Sequence, residues 1–185
     1  MDCFFVYDGI IAAQTKDIDH LFDYNFLTAF DVIIEIGANR GGLTKYIADT
    51  INGVPYMKFY SYEIDPSNLL IPSDYISPNK GEIFLQTWVG HIDKLLEQSK
   101  GKRLILCDGG NKEEEFNSIV PLLRSGDQIM LHDYTNGTNL VDFTRNGWYS
   151  QPEALYANIE QTVIKYNLQE LKHSLKYLWG AFAVI

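Results

Sequence analysis

The sequence predicts an α/β fold, a layered sandwich on a mostly parallel seven-stranded sheet with an antiparallel C-terminal strand. Two observations carry this. Short apolar, β-branched runs alternate with stretches of helical period, the pattern of strand–helix–strand units. The chain then ends on a helix followed by two apolar runs. Strands joined through helices lie parallel and are covered on both faces.

Residues 31–36 (DVIIEI) form the first sheet strand, ended by Gly37. Leu43, Ile47 and Ile51 recur every four residues and make one face of the following helix. Residues 58–64 (KFYSYEI) are the second strand. The third, 82–87 (EIFLQT), follows a stretch broken by Pro66, Pro72 and Pro78. Ile92, Leu95 and Leu96 mark a short helix. Residues 103–107 (RLILC) and 128–132 (QIMLH) are the fourth and fifth strands, with Phe116, Ile119, Val120 and Leu123 on a helix between them. Residues 134–152 form a long polar loop bearing Trp148 and Tyr149, and a loop of that length in a compact domain is usually functional. Leu155, Ile159, Thr162, Val163 and Tyr166 give the last helix face, and 168–172 and 178–185 the closing strands.

The 185 residues fit a single domain spanning 1–185. No run reaches the ~18 apolar residues of a membrane span, and the N-terminus has no secretory pattern, so no membrane partner is expected. Two cysteines, Cys3 and Cys107, are too few for a disulfide framework and point to a reducing, cytoplasmic setting. The net charge of −9, with 15 Lys and Arg against 24 Asp and Glu, argues against nucleic acid, whose binders need a basic face. A small-molecule partner suits this composition, and so does a homo-oligomer, because the chain is short for a fold of this type with a substrate lid.

In open parallel sheets, ligands bind beyond the carboxyl ends of the strands. That rule selects residues 37–42, 63–65, 87–90, 108–112 and 132–134. The first group runs Glu35-Ile36-Gly37-Ala38-Asn39-Arg40-Gly41-Gly42-Leu43-Thr44 from strand to helix. Gly37 permits a tight turn, Gly41 permits close approach of a ligand, and the helix start offers free N–H groups and a positive dipole end. The spacing is G-x-x-x-G, with Asn39 where a dinucleotide loop needs its second glycine, which argues against NAD. Glu63, closing the second strand, can accept both hydroxyls of a ribose. The competing reading is an ordinary glycine turn beside a surface glutamate.

Asp108 and Asp133 close the fourth and fifth strands. Two carboxylates beside the imidazole of His132 make an oxygen-rich site for Mg²⁺ or another divalent cation, which would orient a substrate oxygen and lower the pKa of a bound hydroxyl. The alternative is that Asp108 and Asp133 cap a helix or bind loop amides. His132 and Lys112 are the candidate bases. Lys112 opens a helix with Glu113, Glu114 and Glu115, whose other reading is a solvated charged face. His20, His91 and His173 fall away from the selected edge and are assigned no chemistry.

The segments EIGANRGG and YEIDPSN resemble motif I and the following acidic strand of class I S-adenosylmethionine-dependent methyltransferases. The nearer likeness is to the small-molecule O-methyltransferases, the catechol, macrocin and cephalosporin-hydroxylase-like groups. The lead-in Gly9-Ile10-Ile11 with Gln14 and Asp17 adds to it. The resemblance implies a Rossmann-like fold and S-adenosylmethionine (SAM) as cofactor, held by Glu35, Gly37, Asn39, Gly41, Thr44, Glu63, Trp88 and Asp108. Trp88 falls where the adenine ring lies in such proteins, and ordinary packing explains it equally well. The resemblance also implies metal ligation by Asp108 and Asp133, with His132, Asp133 and Lys112 as catalytic residues. The chain departs from it at Asp108-Gly109-Gly110-Asn111, where the family often has Asp-x-Asp-His. Tyr134, Trp148 and Tyr149 can line an acceptor pocket or anchor a loop. Three functions follow: methylation of a hydroxyl on a small metabolite or sugar, another enzyme activity on the same fold, and an inactive binding or assembly module.

Overall fold

A computed structural model describes residues 5–13, 18–138 and 152–185. Cys3, Gln14, Asp17, Trp148 and Tyr149 lie outside the described residues. The chain forms two compact units, Met1–Leu104 and Ile105–Ile185.

The first unit opens with an antiparallel hairpin, β1 (Phe5–Tyr7) and β2 (Ile10–Ala13). Asp8 and Gly9 turn it at φ 49° and 80°, the two positive angles that a two-residue hairpin loop favours. A short helix, α1 (Tyr24–Leu27), is capped by Asp23, whose carboxylate accepts from the Phe26 N–H at 2.7 Å. Then come β3 (Val32–Ile36), α2 (Gly42–Thr50), β4 (Lys58–Tyr62), β5 (Gly81–Phe84) and α3 (Ile92–Gln98). β3 is buried along its whole length and pairs in parallel with β4, Val32 facing Lys58 and Ile36 facing Tyr62; β4 pairs in parallel with β5. α2 buries Leu43 and Ile47, as its period requires. Lys102, just before β6 (Arg103–Cys107), offers its carbonyl to the N–H groups of Asp31 and Val32. The buried guanidinium of Arg103 donates to the Leu96 carbonyl of α3 at 2.8 Å, one of the contacts that let it lie inside the fold.

The boundary between the units falls inside β6. The second unit continues with α4 (Lys112–Ile119), β7 (Gln128–His132), β8 (Tyr134–Thr135), β9 (Ala154–Leu155), α5 (Tyr156–Lys165), β10 (Leu168–Leu171) and β11 (Trp179–Val184). β8 and β9 form a small parallel pair of their own. β11 runs antiparallel to both β7 and β10. Gly180 of β11 lies against the ring of buried Tyr134, where a Cβ would come within 2.4 Å of Cδ1. Phe182 meets Phe116 of α4 and Tyr134 edge to face. The sheet order is β10-β11-β7-β6-β3-β4-β5, the mostly parallel seven-stranded sheet with one antiparallel C-terminal strand that the sequence predicts.

β6 and β7 have the predicted bounds. β4 and β5 are shorter than the apolar runs that predict them, stopping before Ile64 and Leu85, both well exposed. No helix among the described residues is long and apolar enough to cross a membrane.

Candidate functional site

In the first unit, the loop after β3 is left-handed at Gly37 (φ 89°), Asn39 (φ 48°) and Gly41 (φ 81°). The N–H groups of Gly37 and Ala38 both donate to the Tyr62 carbonyl at 2.9 Å, which fixes the turn against the end of β4. Gly41 is the N-cap of α2 and makes no side-chain cap bond, so the first turn of the helix keeps N–H groups without intrahelical acceptors. Packing also requires glycine at positions 41 and 42. A Cβ on Gly41 would meet Ile71 Cγ1 at 2.6 Å, and one on Gly42 would meet the Ile11 carbonyl oxygen at 2.2 Å. These glycines make room for Ile71 and for the hairpin.

Glu63 follows β4 and is buried. One carboxylate oxygen accepts from the Asn39 N–H at 2.6 Å, the other from the Asp65 N–H at 2.9 Å. Glu63 is therefore part of the glycine loop's own bonding, and not a surface residue. Glu35 lies deeper. Its Oε2 receives the hydroxyls of Thr44 and Ser61, each at 2.6 Å, so Glu35 and Thr44 brace β3 against α2 and β4. Trp88 is half-buried in the turn before α3 and accepts the His91 N–H. His91, which sequence reasoning leaves without a role, packs its ring on Phe84 and bonds the Tyr62 hydroxyl at 2.8 Å.

In the second unit, Asp108 follows β6 and His132 ends β7. Asp133, next in the chain, is held at φ 53°, a conformation that L-residues with a side chain rarely adopt; such strain concentrates at functional sites. His132 Nδ1 lies 2.9 Å from Asp108 Oδ1 and 3.4 Å from Asp133 Oδ2. The same Asp108 and Asp133 oxygens face Lys112 Nζ at 3.9 Å and 3.7 Å, and Glu153 Oε2 binds that ammonium at 2.5 Å. The solvated reading of Lys112 is overturned: its side chain is 6% exposed. Glu115 is buried as well and accepts from the Gly109 N–H at 3.3 Å. Helical period explains both, because Lys112, Glu115, Phe116 and Ile119 share one face of α4. The cap of α4 is Asn111, not Asp108.

Charge and burial compete throughout this cluster. Burial pulls the His132 pKa down, but the carboxylates of Asp108 and Asp133 outweigh it and hold the imidazole above its ordinary value. Burial pushes the Asp133 carboxyl up against the opposing pull of His132 and Lys112. For Lys112, burial lowers the pKa and Asp108, Glu153 and Asp133 raise it further, with a net rise. Asp108, His132 and Asp133 each offer one ligand atom, all within 4.8 Å of one another. Asp133 Oδ1 and His132 Nε2 are buried without a hydrogen-bond partner among the described residues. Glu153 was missed in the sequence, where it stands just beyond the long loop with no motif around it.

No protein-family model and no curated protein matches this chain. Solved structures match it in fold. CmcI with Mg and SAM superposes with a TM-score of 0.63 at 12% identity, over 98% of this chain and 77% of that one. CmcI with SAH gives 0.55 at 14% identity over 70% of this chain, which spans 66% of that protein's length. An O-methyltransferase from Bacillus cereus in complex with SAH gives 0.53 at 15% identity, over 91% of this chain and 82% of that one. The chain has the Rossmann-like fold of these structures.

Proposed function

We propose that this chain is a SAM-dependent methyltransferase, a single functional domain over 1–185, that methylates a hydroxyl oxygen of a small metabolite or sugar. The observation that carries this reading is Glu63. Its carboxylate is buried at the end of β4 and bonded to the glycine loop through Asn39, and each oxygen retains a lone pair for a ribose hydroxyl. Several of the structures sharing the fold are described as bound to SAM or SAH. The net charge of −9 speaks against nucleic acid as acceptor. A cytoplasmic setting fits a chain with two cysteines, of which Cys107 is buried and unpaired. A homo-oligomer remains part of the proposal.

SAM supplies an electrophilic methyl group when bound. In the first unit, Glu63 binds the ribose and the N–H groups at the start of α2, left without intrahelical acceptors, bind the cofactor's carboxylate, while Glu35 and Thr44 keep the glycine loop on its strand. In the second unit, His132 is the acceptor's proton-holding group, oriented by Asp108 through Nδ1. Its Nε2 is free of hydrogen bonds among the described residues and takes the hydroxyl proton. Asp108, His132 and Asp133 also fit a divalent cation, because the donors converge and Asp133 Oδ1 is buried without a partner. Such an ion would orient the acceptor's oxygens and lower its hydroxyl pKa.

Calorimetric titration with SAM and SAH tests the reading. Wild type is expected to bind both on the order of micromolar, and Glu63→Gln at least about tenfold more weakly, the loss of charge-assisted bonds to the ribose. Absence of binding, or equal affinity in Glu63→Gln, overturns it.

A further inference from the structure

The acid cluster of the second unit already contains a cation. Lys112 Nζ faces one carboxylate oxygen each from Asp108, Asp133 and Glu153, at 3.9, 3.7 and 2.5 Å, and the Gly109 carbonyl at 3.3 Å. A divalent ion held by Asp108, His132 and Asp133 would draw on two of the same carboxylates but needs its oxygens at about 2.0–2.6 Å. The atoms of Asp108 and Asp133 that face the ammonium are also those nearest His132 Nδ1. A second cation added beside a buried ammonium meets strong repulsion, since little water screens the pair.

The ammonium has somewhere to go. Of its three carboxylate partners, Glu153 is the most exposed, at 46% of its side chain, and Asp133 the least, at 2%. Lys112 can follow Glu153 outward and leave Asp108 and Asp133 behind. The oxygen they then present is not only the pair it vacates: Asp133 Oδ1 is buried with no partner among the described residues.

We propose that Lys112 is the resident counter-ion of this cluster, and that a divalent metal enters only in exchange for its ammonium. The inference rests on the metal component of the function proposed above. It assigns Lys112 and Glu153 a role in setting metal affinity, with Lys112 a positioning residue for Asp108 and Asp133.

Titration of the chain 1–185 with MnCl₂, followed by calorimetry and by the paramagnetic signal of free Mn²⁺, tests the exchange. Lys112→Met is expected to bind Mn²⁺ at least about tenfold more tightly than wild type, because the competing charge is gone, and Lys112→Met/Asp133→Asn to lose that gain. Lys112→Gln serves as the second variant if the methionine form does not fold, and Mn²⁺ should then raise its melting temperature more than that of wild type. Equal Mn²⁺ affinity in wild type and variant, with both lost on Asp133→Asn, overturns the exchange and leaves the metal site standing. No Mn²⁺ binding by either protein at millimolar concentration overturns the exchange and the metal site together.

Discussion

The backbone N–H of Asn39 donates to Oε2 of Glu63 at 2.6 Å, which makes the glycine loop and the acidic end of β4 one hydrogen-bonded unit. The bond depends on Asn39 holding φ at 48°. Asparagine tolerates that region better than most residues, and a β-branched side chain does not. Asn39→Val is therefore expected to cost about 1–2 kcal/mol in urea unfolding and to weaken SAM binding, while Asn39→Gly stays close to wild type in both. A valine variant with unchanged stability and affinity would show that the left-handed turn is not required.

Glu115 makes the chain's stability depend on pH. Burial pushes its carboxyl up to about 7, against the Gly109 N–H and the Lys112 ammonium, from an ordinary 4.5. Between those values the unfolded chain releases a proton that the folded chain keeps. Stability therefore falls as pH rises from about 4.5 through about 7, by on the order of 3 kcal/mol from this group. Glu115→Gln keeps an acceptor for Gly109 and removes the charge. It is expected to flatten that slope in urea unfolding at pH 5 and pH 8 and to be the more stable protein at pH 8. A slope identical to wild type would place the titration elsewhere.

Under the proposed function, His132 takes the acceptor's proton. His132→Gln keeps a polar side chain of similar reach but cannot take up a proton. Turnover is expected to fall by roughly 10²–10⁴ while SAM affinity, measured by calorimetry, stays the same. Full turnover in this variant would remove His132 from proton transfer.

The buried strands were the most legible part of the chain. RLILC and QIMLH are continuous apolar runs between polar neighbours, and each became a strand with those bounds. Where apolar residues continue past the sheet, as at Ile64 and Leu85, composition alone overextends a strand, because exposure depends on what packs above it. The hairpin of β1 and β2 did have a signal, Asp8-Gly9 between two apolar pairs, a two-residue turn pattern. The second cluster was half readable. Asp108, His132 and Asp133 follow from the rule that sites lie at carboxyl ends. Lys112 and Glu115 looked solvated because four charges stand in a row, although the helical period sets those two with Phe116 and Ile119. Glu153 reaches Lys112 across 41 residues, a closure that no local pattern encodes.

The position of β11 between β7 and β10 has a consequence for the growing polypeptide. β11 follows both neighbours in the chain. During synthesis, β7 leaves the ribosome with one edge unpaired, and β10 emerges with no strand to join until β11 arrives. An apolar strand with a bare edge recruits other chains. The cell's exposure to misassembly of this protein therefore depends on how quickly β11 is made after β7, and slow translation between them should favour aggregates over folded chains.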